Sequence, residues 1–144
     1  MHKHENDHEL VRFGVSMEKK LLDDFDRRIC SRGYDNRSEA IRDIVRDRLV
    51  ELAWQAGNAD VVGTLTLVYD HEVHELSDRL TDIQHKYHTS IIASTHAHLT
   101  PHTCLEVIIL RGRPDSIRMI ADSLLTVKGV RHGKLVTTTT GKEF

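Results

Sequence analysis

From Val11 to Ser16 apolar and polar positions alternate, Val11, Phe13 and Val15 against Arg12, Gly14 and Ser16, and this predicts a half-buried strand. Ser16 also stands where an N-cap belongs. The period then changes. Leu21, Leu22, Phe25 and Ile29 recur three or four residues apart, predicting an amphipathic helix over about residues 17–32, stopped by Gly33 with Tyr34 as its hydrophobic contact. Asn36-Arg37-Ser38-Glu39 has the form of a capping box, in which the Asn36 side chain caps and Glu39 is the acid at the third position. The helix it opens is expected to run to about Ala53, with Ala40, Ile41, Ile44, Val45, Leu49 and Leu52 on its stripe. Residues 54–60, with Gly57 and Asn58, read as a polar linker.

Beyond the linker the pattern parses as six alternating elements. Strands are expected at about residues 61–69, 90–99, 104–111 and 130–139, and helices at about 73–87 and 114–127. The order βαββαβ predicts a ferredoxin-like sheet with both helices on one face, so the fold class is α+β. Ala97, Leu105, Val107 and Ile109 share one parity on the central hairpin and are expected to face the helices. His96, His98, Cys104 and Glu106 share the other parity, expected to be open to solvent or to another subunit.

The N-terminal fifty residues pose a packing problem that the rest does not. One short strand and two helices make too small a core, and a lone strand leaves its backbone groups unpaired. A symmetric dimer whose two strands pair antiparallel solves both. The odd residues then face the helices, and Arg12, Gly14 and Ser16 of both chains line an outer ribbon of the kind that enters a DNA major groove. The free backbone N–H groups at the N-terminus of the second helix, Asn36 to Ser38, suit a phosphate.

Composition adds limits. The 144 residues carry a formal charge of −2, so contact with nucleic acid must come from local placement. The longest apolar runs are four residues, such as Val107–Leu110, which excludes a transmembrane helix. Residues 1–9 are polar, expected as a flexible tail in which His2, His4 and His8 chelate at most loosely, and they lack the apolar core of a secretory signal. Two distant cysteines make no disulfide framework, so a reducing, cytoplasmic setting is the default.

The chemistry concentrates between Gln84 and Glu106, a stretch with five histidines and one of the two cysteines. If the hairpin is centred on Pro101, His98 faces Cys104 and His96 faces Glu106. Directly opposed residues have Cβ atoms about 4.5–5.5 Å apart, so two imidazoles and a thiolate share a patch. Glu106 is placed to orient a ligand histidine. His85, at the end of the preceding helix, is a candidate fourth ligand. The parity assignment sets that helix on the far side of the sheet, which points to a neighbouring subunit's His85. Such a donor set serves structural zinc in a tetrahedron, or Ni(II) or Cu(II) in a plane. His71, His74 and His132 have no partner by spacing. No nucleophile–base pair stands out, so an enzyme is not expected. The competing functions are a metal storage or chaperone protein without DNA function, a sensor of zinc, copper or cobalt, and an amino-acid sensor in which a small ligand alters DNA binding.

At this point the chain resembles the nickel-responsive transcriptional regulators, the NikR family, over residues 10–140. The motifs are Asn36–Asp43 (NRSEAIRD), Gln84-His85, His96–Leu99 (HAHL), Cys104–Glu106 (CLE) and Gly129–Gly133 (GVRHG). The resemblance implies a ribbon-helix-helix DNA-binding domain over residues 10–53 and an ACT-like regulatory and tetramerisation domain over residues 61–144. It implies a homotetramer, a dimer of dimers, that represses nickel uptake genes by binding a DNA operator with two half-sites. It implies one Ni(II) per subunit in a square plane of His96, His98 and Cys104 from one chain and His85 from another, and a weaker cation site near Glu39 and Asp43. Three features depart from the family pattern: the polar N-terminal extension, Gly14 where a base-reading side chain is expected, and Lys86-Tyr87-His88 in place of a histidine run.

Overall fold

The computed structural model describes residues 9–142, so the tail histidines His2, His4 and His8 lie outside the described residues. The chain divides into two compact units, Met1–Asp43 and Ile44–Phe144.

In the first unit residues 9–18 take no regular secondary structure. The expected strand is therefore absent from the single chain, as it must be when no second strand is there to satisfy its N–H and C=O groups. The first helix, α1, spans Lys19–Ser31 and is preceded by Glu18 in an extended conformation with no side-chain cap, so Ser16 is not the N-cap. Helix α1 ends as expected: Gly33 has φ +83°, and Tyr34 N–H donates to Ile29 O at 3.3 Å. Asn36 Oδ1 accepts from Glu39 N–H at 2.9 Å, the capping bond that opens helix α2, Arg37–Ala56. Arg37 reaches back to α1 and grips both carboxylate oxygens of Asp26 at 2.7 and 2.6 Å. That pair holds the Asp26 carboxyl below its usual value, chiefly through the hydrogen bond.

The expected linker begins too early, because α2 continues to Ala56. Trp54 is buried, with its indole N–H donating to Thr138 O at 2.9 Å and Arg118 stacked over its ring. Apolar bulk with a satisfied N–H outweighed the polar residues after it.

The second unit holds strands β1 (Val61–Asp70), β2 (Ile91–His98), β3 (Thr103–Gly112) and β4 (Val130–Thr139), with helices α3 (Leu76–Lys86) and α4 (Pro114–Leu125). The sheet is antiparallel in the order β2-β3-β1-β4, the ferredoxin-like arrangement the element order predicts. Its core joins Leu65, Leu67 and Tyr69 of β1 and Ile108 and Leu110 of β3 to Leu76 and Leu80 of α3 and Ile117, Ile120 and Leu124 of α4.

Register therefore reverses the expected parity. Ile108 pairs with Leu65, so the helix-facing side of β3 is Cys104, Glu106, Ile108 and Leu110, while Leu105, Val107 and Ile109 are only half-buried on the other side. Alternation could not decide this, because β3 is apolar at both parities from Val107 to Leu110. The carboxylate of Glu106 argued for solvent, but a buried charge is tolerated when hydrogen-bonded.

Candidate metal centre

Strands β2 and β3 pair His98 with Cys104 and His96 with Glu106, the register expected from a turn at Pro101. That register leaves His98 Nδ1 3.8 Å from Cys104 Sγ. The thiol is buried while His98 is exposed on the edge strand, so the pair sits at the rim of the helix-facing side.

Glu106 lies behind it, 1 % exposed. Three donors converge on its carboxylate, Ser94 Oγ at 2.7 Å, Gln84 Nε2 at 2.8 Å and Tyr69 Oη at 2.9 Å, and His96 Nε2 lies 3.3 Å from it. The Tyr69 hydroxyl also lies 3.3 Å from His96 Nδ1. Burial above all, and then the charge of Glu106, raises the Tyr69 phenol above its ordinary value, so it remains a protonated donor. The carboxylate thus ties β1, β2 and the last turn of α3 together and orients His96, the role expected of a group behind a metal ligand. Both nitrogens of His96 face this network, and one must be released for His96 to bind a metal.

His85 is exposed on that last turn of α3, one residue after Gln84. The helix lies on the same side of the sheet as His96, His98 and Cys104, contrary to the expectation that the sheet separates them. Even so, His85 is not among the residues whose ligand atoms come together in the single chain. Among the described residues that group is His71, His98 and Cys104, with one ligand atom from each all within 4.8 Å of one another.

His71 had no partner by spacing. It follows β1 at the same parity as Tyr69, which pairs with Cys104, and its N–H donates to His102 O at 3.2 Å. Only the pairing of two strands more than thirty residues apart could have revealed it. Tyr69 escaped for the same reason, whereas Gln84 and Ser94 were hidden by the expected parity, which turned Glu106 away from the helices. The donor set fits a thiophilic transition metal: a cysteine sulfur, imidazole nitrogens, and a hydrogen-bonded carboxylate behind them.

In the first unit Arg12, Gly14 and Ser16 are exposed, and a Cβ added at Gly14 meets nothing within 4 Å. Asn36 and Ser38 are exposed at the N-terminus of α2. Glu39 is exposed one helical turn before Asp43, whose Oδ2 accepts from Tyr34 Oη at 2.9 Å.

Comparison with known proteins bears on both units. Residues 62–138 match the family model described as the NikR C terminal nickel binding domain, and residues 11–52 match that of the ribbon-helix-helix protein, copG family. A Geobacter metallireducens protein named "Putative nickel-responsive regulator" is 56 % identical over 136 residues, 94 % of this chain and 98 % of that one. A Pyrococcus horikoshii protein of the same name is 52 % identical, over 94 % of this chain and 99 % of that one. The solved structure of an uncharacterized protein from Thermotoga maritima shares the fold, with TM-score 0.51 at 16 % identity, over 56 % of this chain and all of that one.

Proposed function

The chain belongs to the nickel-responsive regulator family, DNA-binding regulators and not enzymes, and we propose that it is a cytoplasmic repressor of nickel uptake genes whose operator binding requires Ni(II). The observation that carries this is the pairing of His98 with Cys104 over a buried, hydrogen-bonded Glu106, in a chain that also carries a ribbon-helix-helix domain.

The ion is held by His96, His98 and Cys104 of one protomer and His85 of a second, one ion per protomer. Bound there, Ni(II) supplies a coordinate link between protomers. Cys104 contributes a thiolate, so binding releases a proton and affinity falls in acid. Two features support the second copy. Val11, Phe13 and Val15 are exposed in the single chain although their alternation is that of a buried face. On the sheet's other face Val62, Val68, Leu105, Val107 and Ile109 are half-buried and Val136 is exposed. Antiparallel pairing of residues 11–16 from two chains makes the DNA ribbon, and contact through the sheets makes the tetramer, a dimer of dimers on two half-sites. Arg12 and Ser16 flank Gly14 on the outer face of the ribbon, and Asn36–Ser38 hold a phosphate. A weaker cation at Glu39 and Asp43 adds to the DNA-bound form.

Metal shifts the tetramer only by its differential affinity for the forms that do and do not fit the operator. Operator binding titrated with Ni(II) at fixed salt tests this. Cys104→Ala is expected to lower nickel affinity well beyond the roughly 10–100-fold typical of losing an outer-shell partner, and to abolish nickel-dependent DNA binding. Arg12→Ala should weaken DNA binding with nickel affinity intact. Unchanged nickel-dependent operator binding in Cys104→Ala would refute the proposal.

A further inference from the structure

The residues that read as a polar linker are sewn to the second unit instead. Trp54, the only tryptophan in the chain, is 2 % exposed, and its indole N–H donates to Thr138 O on the edge strand β4 at 2.9 Å. The ring rests against Gly63 of β1. A Cβ there would lie 3.4 Å from Trp54 Cη2 and 3.1 Å from Leu135 Cδ1, so a side chain would crowd the seat. The Arg118 guanidinium of α4 stands 5.5 Å over the ring. One turn earlier in α2, Val50 packs against the same core. Beyond the helix, Arg113 Nε donates to Gly57 O at 3.3 Å, Ala59 packs against the core, and Arg111 holds Asp60 Oδ2 at 3.0 and 2.7 Å.

We infer that Trp54 is a positioning residue: it roots the C-terminal end of α2 in the core of the second unit, so that residues 54–60 are not a pivot. The division between the units falls inside α2, between Asp43 and Ile44, and not in the polar segment. Seven free residues would have a root-mean-square span of about 13–16 Å. That is about four base pairs at roughly 3.4 Å each, slack enough to blur any fixed separation of two half-sites. Anchored residues have no such slack. The seat also lies on a row that reaches the metal centre. Gly63, Leu65, Leu67 and Tyr69 are buried at one parity of β1, and Tyr69, about 20 Å along the strand from Gly63, donates to Glu106. One packed face of a single strand thus joins the carboxylate behind the metal ligands to the root of α2, with no flexible segment between.

The anchor is a property of the single chain, whereas its use rests on the function proposed above. If nickel fixes two ribbons on two half-sites, Trp54 makes the required separation strict. The chain from Gly57 to Asp60 then only closes a loop, and the connection that matters is the packing of the indole.

The first test uses the metal-free full-length protein, whose tryptophan fluorescence reports on Trp54 alone. Blue-shifted emission that acrylamide quenches poorly is expected, and emission and quenching like those of the unfolded chain overturn the anchor. The second uses a DNA duplex selected from a random library by the nickel-loaded parent, with one to four base pairs then inserted between its half-sites. Three glycines inserted after Asn58 should leave the fall of affinity with spacing as steep as in the parent, because lengthening a closed loop costs little. Trp54→Ala should flatten that fall and shrink nickel's enhancement of DNA binding, about 5–150-fold for a typical coupling, while the nickel spectrum persists. Flattening by the glycine insertion, or a fall in Trp54→Ala as steep as the parent's, overturns the positioning role. Should Trp54→Ala misfold, the glycine insertion decides alone. If no duplex is selected, the function proposed above fails, and the quenching result decides the anchor by itself.

Discussion

The two units of this chain differ in how much of their own fold they contain. Among the described residues, two buried apolar side chains, Ile29 and Ala40, fall in the first unit, and fourteen, from Trp54 to Leu124, in the second. In the first, residues 9–18 have no secondary structure and expose Leu10, Val11, Phe13 and Val15. In the second, four strands satisfy one another and two helices close one face. On the function proposed above, the difference teaches that the DNA-reading end is written for two chains, while the metal-binding end, with a core of its own, would need other chains only to finish a site. On the proposed scheme regulation by assembly follows from that asymmetry, because an ion bridging the self-sufficient parts would set the spacing of the dependent ones.

The harshest way to break the comparison is Val15→Asp. On the dimer reading it buries a carboxylate from each chain inside the ribbon, at several kcal/mol per uncompensated charge. Operator binding should be lost at all accessible protein concentrations, while nickel affinity and spectrum stay as in the parent. A variant that still bound operator would show that residues 11–16 do not pair. In the other unit the corresponding change is Trp54→Ala, expected to cost about 3–5 kcal/mol of unfolding free energy in a denaturant titration, since it empties a packed site and removes the hydrogen bond to Thr138 O. That loss should be independent of protein concentration if the second unit's core is its own.

The same asymmetry decided what could be read from the sequence. The second unit was legible in element order because its periods alternate cleanly, and the hairpin register followed from Pro101. Which side of the sheet faced the helices was not legible, because residues 107–110 are apolar at both parities and Glu106 disguised a buried face. His71 and Tyr69 were invisible as neighbours of Cys104, since nothing local encodes the β1–β3 register. In the first unit the alternation of residues 11–16 was plain, but no strand forms there in the single chain, and on the dimer reading it would form only with a second chain's partner. His85 is legible only as a residue and as part of a family motif, for the single chain does not bring it to the other ligands.

A smaller effect sharpens the account of the second unit's packing. A Cβ on Gly133 would lie 2.3 Å from Leu125 Cδ2 and 2.9 Å from Leu67 Cδ2, with Thr66 O at 3.0 Å. Gly133→Ala should therefore overpack the junction of β4 with the helix-facing layer, costing about 1–3 kcal/mol of stability by denaturant titration. Gly14→Ala, with nothing within 4 Å, should leave stability nearly untouched and act on operator choice alone. Equal destabilisation by both would contradict this layering.

The smallest effect compares one ion pair from each unit. Asp26 takes both arms of the Arg37 guanidinium on its two oxygens, whereas Asp60 receives Arg111 Nε and Nη2 on the single oxygen Oδ2 at 3.0 and 2.7 Å. Both carboxyls are held below their ordinary value, in each case first by the hydrogen bond from the arginine. A carboxyl whose folded pKa is depressed contributes stability above its unfolded pKa, about 3.9 for Asp, and loses it as pH falls through the folded value. Asp26→Asn and Asp60→Asn should thus lower the melting temperature slightly at neutral pH, and each difference from the parent should close in acid below about pH 4. Both pairs are exposed, so high salt should shrink the differences too. The Asp26 effect should be the larger, because the fork is matched arm for arm and because it joins α1 to the start of α2 in the unit with little else to hold it. A larger effect from Asp60 would mean that the first unit draws its stability from elsewhere, and the contrast between the two halves would have to be redrawn.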